Sequence, residues 1–358
     1  PQGWIIVAAG NPPAYNKSVR EFDIVTLDRV RKISIQADTD IWLEYAGEKG
    51  VHGAILSYLS LKKENFYMVE NTVDGKFFVT ARGWEDLSEI LKSYEELQVE
   101  IGEELIGEFL QKEEIARDFA GYYRLYEKYK SDYQIQEILD GNVTSRQLKT
   151  CCDMGKKASF EERFTVTEML LEAVTERISV FQKIDEKTEK LYENLKLLKI
   201  FLQEKNSVEA MEQFVASRRK ALDAKICSEL LTAEEAAREE EQIRILEEYF
   251  FQLKELHISD VAEGIEQIGE RFGNVCRLRN EKLEETKKML EQAFSFLEEC
   301  FGEGQELLLF ETGLTGDDRC SIFISQYGCP SYFKHCELLL YSKKENEMRK
   351  ECRDLLEE

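Results

Sequence analysis

A short apolar run at residues 4–9 ends in Gly10, Asn11 and two prolines, and this stretch is the most suggestive of chemistry in the chain. An apolar run of this kind is typical of a parallel strand that is buried on both faces. Because open parallel sheets bind ligands beyond the carboxyl ends of their strands, we expect Asn11 to contact a bound ligand. Residues 17–32 carry five basic and three acidic side chains. Such a basic stretch in an acidic chain fits the phosphates of a nucleotide.

Two arginine motifs follow this strand in an order that matches a known family. A Leu-Asp-Arg motif ends at Arg29, and a Thr-Ala-Arg-Gly motif around Arg82 opens an amphipathic helix. Together with the strand that ends in Asn-Pro, these motifs resemble the back half of an AAA+ ATPase module of the MoxR group. The resemblance covers about the first quarter of the chain. It implies that residues 1–35 are the end of an α/β core and that a helical lid follows.

The resemblance implies roles for four side chains. Asn11 matches sensor 1, which orients the attacking water and the γ-phosphate of ATP, and Arg29 matches the arginine finger. Arg20 is a second candidate for the finger, because the residues between it and Arg29 depart from the family pattern. Arg82 matches the sensor 2 arginine, which binds the nucleotide. Arginine suits phosphate recognition because its planar guanidinium donates several hydrogen bonds and stays charged.

The chain lacks the motifs that would hold the rest of the nucleotide. No Gly-x-x-x-x-Gly-Lys-Ser/Thr loop is present, and no apolar run ends in an Asp-Glu pair that could hold Mg²⁺ and activate water. We therefore expect a truncated part of an AAA+ ATPase whose parent protein binds ATP and Mg²⁺. This part alone is expected to be inactive, because phosphoryl transfer depends on those positioning groups.

Composition argues against several other classes of function. A net charge of −23 disfavours nucleic acid and anionic membranes as partners. No apolar run approaches the ~20 residues of a membrane span. The 9 cysteines include no Cys-x-x-Cys pair, so we expect reduced thiols, a cytoplasmic location and no metal site. Only 4 prolines, with abundant Glu, Lys and Leu, favour long helices.

Residues 36–97 are predicted to form the lid. Asp38 should start a helix that ends at Gly47 or Gly50, and a second helix should run from His52 over about eight residues. Strands at 66–70 and 76–80 are predicted to form a hairpin that leads to Arg82 and the next helix. His52 is predicted to be a capping or surface residue, since no acid or second histidine is expected to pair with it.

Residues 98–301 are predicted to be a helical extension, either a bundle or a coiled-coil arm. Helical periodicity should continue from about residue 94 to 139. Capping patterns at Thr144, Ser159 and Thr232 mark helix starts, and breaks are expected near Asn206 and His257. Residues 302–358 are predicted to be a small α+β module, with strands at 307–310 and 320–325 before a helix. The fold class expected for the whole chain is therefore mainly α.

The resemblance also implies a function. In the MoxR group, ATP hydrolysis is coupled to remodelling or chaperoning of a protein client, and we expect the helical extension to bind that client. Homo-oligomers, specifically hexameric rings, are implied, and the partners implied include von Willebrand factor A-domain proteins. The alternative left open by the residues is a catalytically inert helical scaffold or adaptor.

Overall fold

A computed structural model describes residues 7, 9–10, 24–31, 33–72 and 75–339. Throughout these ranges the protein is mainly helical, as predicted, and its one sheet has two strands. The front of the chain contains α1 (Ile24–Arg29), α2 (Thr39–Lys49), α3 (Gly53–Leu61), β1 (Met68–Thr72), β2 (Gly75–Val79) and α4 (Ala81–Glu96). The strand predicted at residues 4–9 lies almost wholly outside the described residues.

The predicted order of helices and hairpin in the lid is confirmed. Asp38 caps α2 by accepting from the backbone N–H groups of Asp40 and Ile41, and Gly50 ends the helix in the left-handed region. The strands β1 and β2 are antiparallel, with Val69 opposite Phe78. The hairpin therefore leads directly into the first turn of α4, as the sequence predicted.

The continuous helical pattern predicted between residues 94 and 139 is wrong in detail. The structure has three helices there, α5 (Glu103–Phe109), α6 (Glu113–Tyr133) and α7 (Ile135–Asp140). Gln98 and Gln134 adopt positive φ angles of 56° and 51°, which interrupt the helical path at both places. The next helix is α8 (Ser145–Gly155), and its predicted capping box is confirmed, because Thr144 and Gln147 bond reciprocally.

The long helices predicted for the middle region are confirmed. They are α9 (Phe160–Lys205), α11 (Ala233–Glu255) and α12 (Val261–Phe301), and α10 (Ala210–Cys227) lies between the first two. Ser159 caps α9, and Thr232 forms a capping box at α11. The breaks at Asn206 and His257 both use left-handed residues, with φ angles of 48° and 56°.

The strands predicted in the last module are wrong. The structure has α13 (Gln305–Gly316), α14 (Asp318–Tyr327) and α15 (Pro330–Leu339) in their place. Leu307, Phe310 and Leu314 are buried at helical spacing along α13. A short apolar run does not distinguish a strand from a buried helix, and packing against α9 decides in favour of the helix here.

Two hydrophobic cores lie along the pair formed by α9 and α12. The base core is shared by α2–α8, the first half of α9, the second half of α12 and α13–α14. The distal core lies between the second half of α9, α10, α11 and the first half of α12, and we call these four segments the distal bundle. The bundle character predicted for the middle region is therefore confirmed. Among the described residues, no helix is long and apolar enough to cross a membrane.

A polar clamp joins α9, α12 and α14 between the two cores. Arg279 Nε donates to Asp185 Oδ1 at 2.7 Å and Arg279 Nη2 donates to the Tyr327 hydroxyl at 2.6 Å. The Tyr327 hydroxyl in turn donates to Asp185 Oδ2 at 2.7 Å. The guanidinium also lies 5.3 Å from the ring centroids of Phe181 and Tyr327. A partly buried arginine thus satisfies both a carboxylate and an aromatic pair.

Candidate functional site

The structure describes two of the four predicted site residues. Asn11 and Arg20 lie outside the described residues. Arg29 is the last residue of α1, and Arg82 is the second residue of α4; both are exposed. The convergence of the four side chains on a nucleotide is therefore not tested and stays a prediction.

The first turn of α4 holds Arg82 firmly at the surface. The Thr80 hydroxyl accepts from the Gly83 N–H at 3.3 Å, and the buried Trp84 indole donates to the Phe66 carbonyl at 3.1 Å. A side chain at Gly83 would place its Cβ 2.8 Å from the Phe109 carbonyl oxygen, so α5 approaches closely there. The Arg82 guanidinium itself makes no hydrogen bond or ion pair with any described residue. It is free to bind an anion.

A second polar site, centred on His52, was missed by the sequence reasoning. His52 is buried and caps α3, because its Nδ1 accepts from the Ala54 N–H at 3.1 Å. The capping role is confirmed, but the surface location and the absence of an acidic partner are wrong. With Nδ1 acting as acceptor, the proton lies on Nε2, which donates to Glu95 Oε1 at 2.8 Å. The partner is 43 residues away in sequence, which is why no local pattern shows it.

Glu95 is the acceptor at the centre of this site. Besides His52, it accepts from the Tyr123 hydroxyl at 2.9 Å and from Lys130 Nζ at 3.1 Å. Burial alone would raise the pKa of Glu95. The hydrogen bond from His52 and the positive charge of Lys130 outweigh burial and lower this pKa to about 2. Glu95 therefore remains ionised and ties α4 to α3 and α6.

Two further acids of α9 lie beside this site. Glu172 accepts from the Tyr126 hydroxyl at 3.1 Å, and burial raises the pKa of Glu172. Glu168, one turn earlier, has a pKa raised to about 7 by burial and by the charge of Glu172. The Glu172 carboxylate lies so close to Gly53 that a Cβ there would be 1.6 Å from its Oε2. A side chain at position 53 would therefore require the Glu172 carboxylate to shift.

A surface groove of about 530 Å³ opens beside Glu95, with Gln98, Glu100, Arg124 and Lys130 along its walls. Glu95, Tyr123 and Lys130 at its base bond to one another, whereas Glu100 on its wall makes no hydrogen bond or ion pair with a described residue. Among the described residues, no group of three or more His, Cys, Asp or Glu side chains could hold a metal ion. The His52 site therefore joins helices, and Arg82 is one of several exposed cations in the described part of the chain that make no ion pair.

Comparisons with protein-family models, with curated proteins and with solved structures found no match for this chain. A function can therefore be inferred only from the residues and their geometry.

Proposed function

We propose that this chain supplies the sensor, arginine-finger and lid part of a MoxR-type AAA+ ATPase, which couples ATP hydrolysis to remodelling of a protein client. The observation that carries this proposal is Arg82. Its guanidinium is exposed, makes no ion pair within the described part of the chain, and sits in the first turn of a helix anchored by Trp84. That turn contains no acidic residue. A fixed, uncompensated positive charge at a helix N-terminus suits the phosphates of a nucleotide.

Exposed apolar residues ahead of the lid support the same proposal. Ile33 and Ile35 are exposed at 83% and 92%, and Val30 at 50%. Ile33 and Ile35 flank Ser34, and this alternation of apolar and polar side chains is typical of a strand. An adjoining α/β core would cover them. In this proposal, Asn11 and Arg29, with Arg20 as the alternative finger, act at that core.

The shared base core supplies a route from the nucleotide to the client. Because the lid and the first half of α9 belong to one core, a rotation of the lid would carry α9 with it. About 25 residues separate Phe181 from the end of α9, which is about 40 Å of helix. A lid rotation of about 10° would then displace the end of the distal bundle by about 7 Å. We propose that the client binds this bundle and that the active protein is a hexameric ring.

The test uses the full-length protein, its steady-state ATPase rate and its affinity for Mg-ATP. We expect Arg29→Ala to reduce turnover by about 10³-fold or more while nucleotide binding remains, as for a lost arginine finger. Arg82→Ala should weaken nucleotide binding by about tenfold to a hundredfold, since one charge-assisted hydrogen bond is lost. Arg146→Ala is the matched control, because Arg146 is also the exposed second residue of a helix. It should leave both quantities unchanged.

One observation favours the scaffold alternative: the polar groups of the His52 site bond to one another and leave none for a ligand. A scaffold would neither bind nor hydrolyse Mg-ATP, and Arg29→Ala would not alter its partner binding. Either of two results would overturn the ATPase proposal. The first is that the wild-type protein does not bind Mg-ATP, and the second is that Arg82→Ala and Arg146→Ala change its affinity for Mg-ATP equally.

A further inference from the structure

Two cysteines that are distant in sequence are bonded in the structure. Cys152 lies in α8 and Cys300 lies in the last turn of α12, and their disulfide closes a separation of 148 residues. The expectation of reduced thiols throughout is therefore wrong for this pair. The adjacent Cys151 is buried but remains a free thiol. Both bonded cysteines are buried, at 6% and 1% exposure.

Apart from this bond, α8 is held by a small set of packed side chains. Cys151, Cys152 and Gly155 are buried, Leu148 and Met154 are partly buried against the base core, and the other side chains of α8 are exposed. Gly155 packs against the Phe301 ring so closely that a Cβ would lie 2.7 Å from a ring carbon. The Cys151 sulfur is 3.8 Å from the carbonyl oxygens of Asp132 and Tyr133. A helix with so small a buried surface opens readily unless a covalent bond holds it.

We propose that α8 is a redox-controlled latch, docked on α12 while the Cys152–Cys300 bond is intact and released when that bond is reduced. The inference does not depend on the proposed ATPase function. The Cα atoms of the pair are 4.2 Å apart. Reduction removes the covalent tie between α8 and the last turn of α12, so that the few side chains that α8 buries must hold it alone.

The oxidant that closes the latch is a small-molecule disulfide of the glutathione class. One protein thiolate attacks a sulfur of that disulfide and forms a mixed disulfide, and one small thiolate leaves. The second protein thiolate then attacks the protein sulfur of the mixed disulfide and displaces the second small thiolate. The protein loses two electrons, and the small disulfide gains them as two thiols. Reduction by an excess of the small thiol runs the same steps in reverse when α8 opens transiently, because the bonded cysteines are buried while it is docked.

Cys151 provides an internal control for this chemistry. It shares the helix and the burial of Cys152, but its sulfur points toward backbone carbonyls rather than toward Cys300. Cys151 is a free thiol in the structure and takes no part in the Cys152–Cys300 bond. Cys151→Ser should therefore leave the latch working, whereas Cys152→Ser should leave it permanently open.

The experiment measures amide hydrogen exchange by mass spectrometry after incubation with oxidised or with reduced glutathione. Reduction of the wild-type protein should speed exchange in residues 145–155 by about tenfold and leave the distal bundle unchanged. The Cys151→Ser variant should respond in the same way, and Cys152→Ser should show fast exchange in α8 under both conditions. Because reduction of the wild type needs no substitution, a variant that fails to fold does not spoil the test.

Peptide mapping without reductant provides the second readout. The oxidised wild type should yield a linked peptide that contains Cys152 and Cys300, and reduction should remove it. A free Cys300 after treatment with oxidised glutathione would overturn the proposal. Amide exchange in α8 that does not respond to reduction would also overturn it. Exchange that rises equally in every helix would do the same, because the disulfide would then stabilise the whole fold and not α8 alone.

Discussion

Replacing Glu168 by glutamine should stabilise the protein, and the stabilisation should increase as the pH rises above 4.5. Glu168 lies one turn before Glu172 on α9, and no described residue donates a hydrogen bond to it. Burial and the neighbouring charge of Glu172 raise the pKa of Glu168 from 4.5 to about 7. Glutamine has the same shape and stays neutral, so the Glu168→Gln variant removes this electrostatic penalty without leaving a cavity.

The sign and size of the effect follow from proton linkage. Below pH 4.5 the carboxyl is neutral in the folded and the unfolded chain, so its charge costs nothing. As the pH rises from 4.5 toward 7, the unfolded chain releases the proton while the folded chain retains it, and the free energy of unfolding falls. Above that range the full penalty applies. The rise of the Glu168 pKa from 4.5 to about 7 corresponds to a loss of about 3 kcal/mol in the free energy of unfolding.

Urea unfolding at several pH values tests this prediction. The difference in unfolding free energy between Glu168→Gln and wild type should grow from near zero at about pH 4.5 to about 3 kcal/mol at about pH 8. Glu176→Gln, an exposed substitution two turns further along α9, should follow the wild type to within about 0.5 kcal/mol at every pH. If the difference in unfolding free energy between Glu168→Gln and wild type is the same at all pH values, the reasoning is refuted. Such a constant difference would indicate a packing effect, which does not depend on protonation.

Two further substitutions test the polar clamp and the close approach of α3 to α9. Arg279→Lys keeps the positive charge of the clamp, but a lysine cannot donate to Asp185 and Tyr327 at the same time. Urea unfolding should therefore show a decrease of about 1–2 kcal/mol in the free energy of unfolding. The exposed Arg277→Lys is its control, and an equal loss there would contradict the clamp. Gly53→Ala should destabilise the protein by about 1–3 kcal/mol by displacing the buried carboxylate that it faces. At Gly47 an added Cβ would have no neighbouring atom within 4 Å, so Gly47→Ala should instead stabilise α2 by about 1 kcal/mol. Thermal unfolding of both variants would show whether Gly53→Ala lowers the melting temperature and Gly47→Ala raises it.

Local signals in the sequence predicted local structure well. Thr144 and Thr232 each precede a glutamine or glutamate by three positions, and both form the reciprocal capping box that this spacing predicts. The position of Arg82 in the first turn of α4 followed from the hairpin and from the amphipathic pattern after it. Where two structures share one local pattern, prediction failed. The apolar run at Leu307 fits a buried strand or a buried helix equally, and only its contact with α9 selects the helix.

Two of the features that join separate helices depend on pairs distant in sequence. His52 and Glu95 are 43 residues apart, and Cys152 and Cys300 are 148 apart. Each partner looked ordinary alone: a histidine at a helix start, an acid in a charged segment, cysteines without a motif. Each pair forms only when the fold excludes water and places the complementary group within bonding distance. The periodicity of the sequence does not encode that placement. Arg82 is the opposite case, because its local context suffices to place it, exposed and without an ion pair among the described residues, in the first turn of α4. Local pattern therefore places an exposed side chain such as Arg82, whereas pairs satisfied between distant parts of the chain emerge only from the structure.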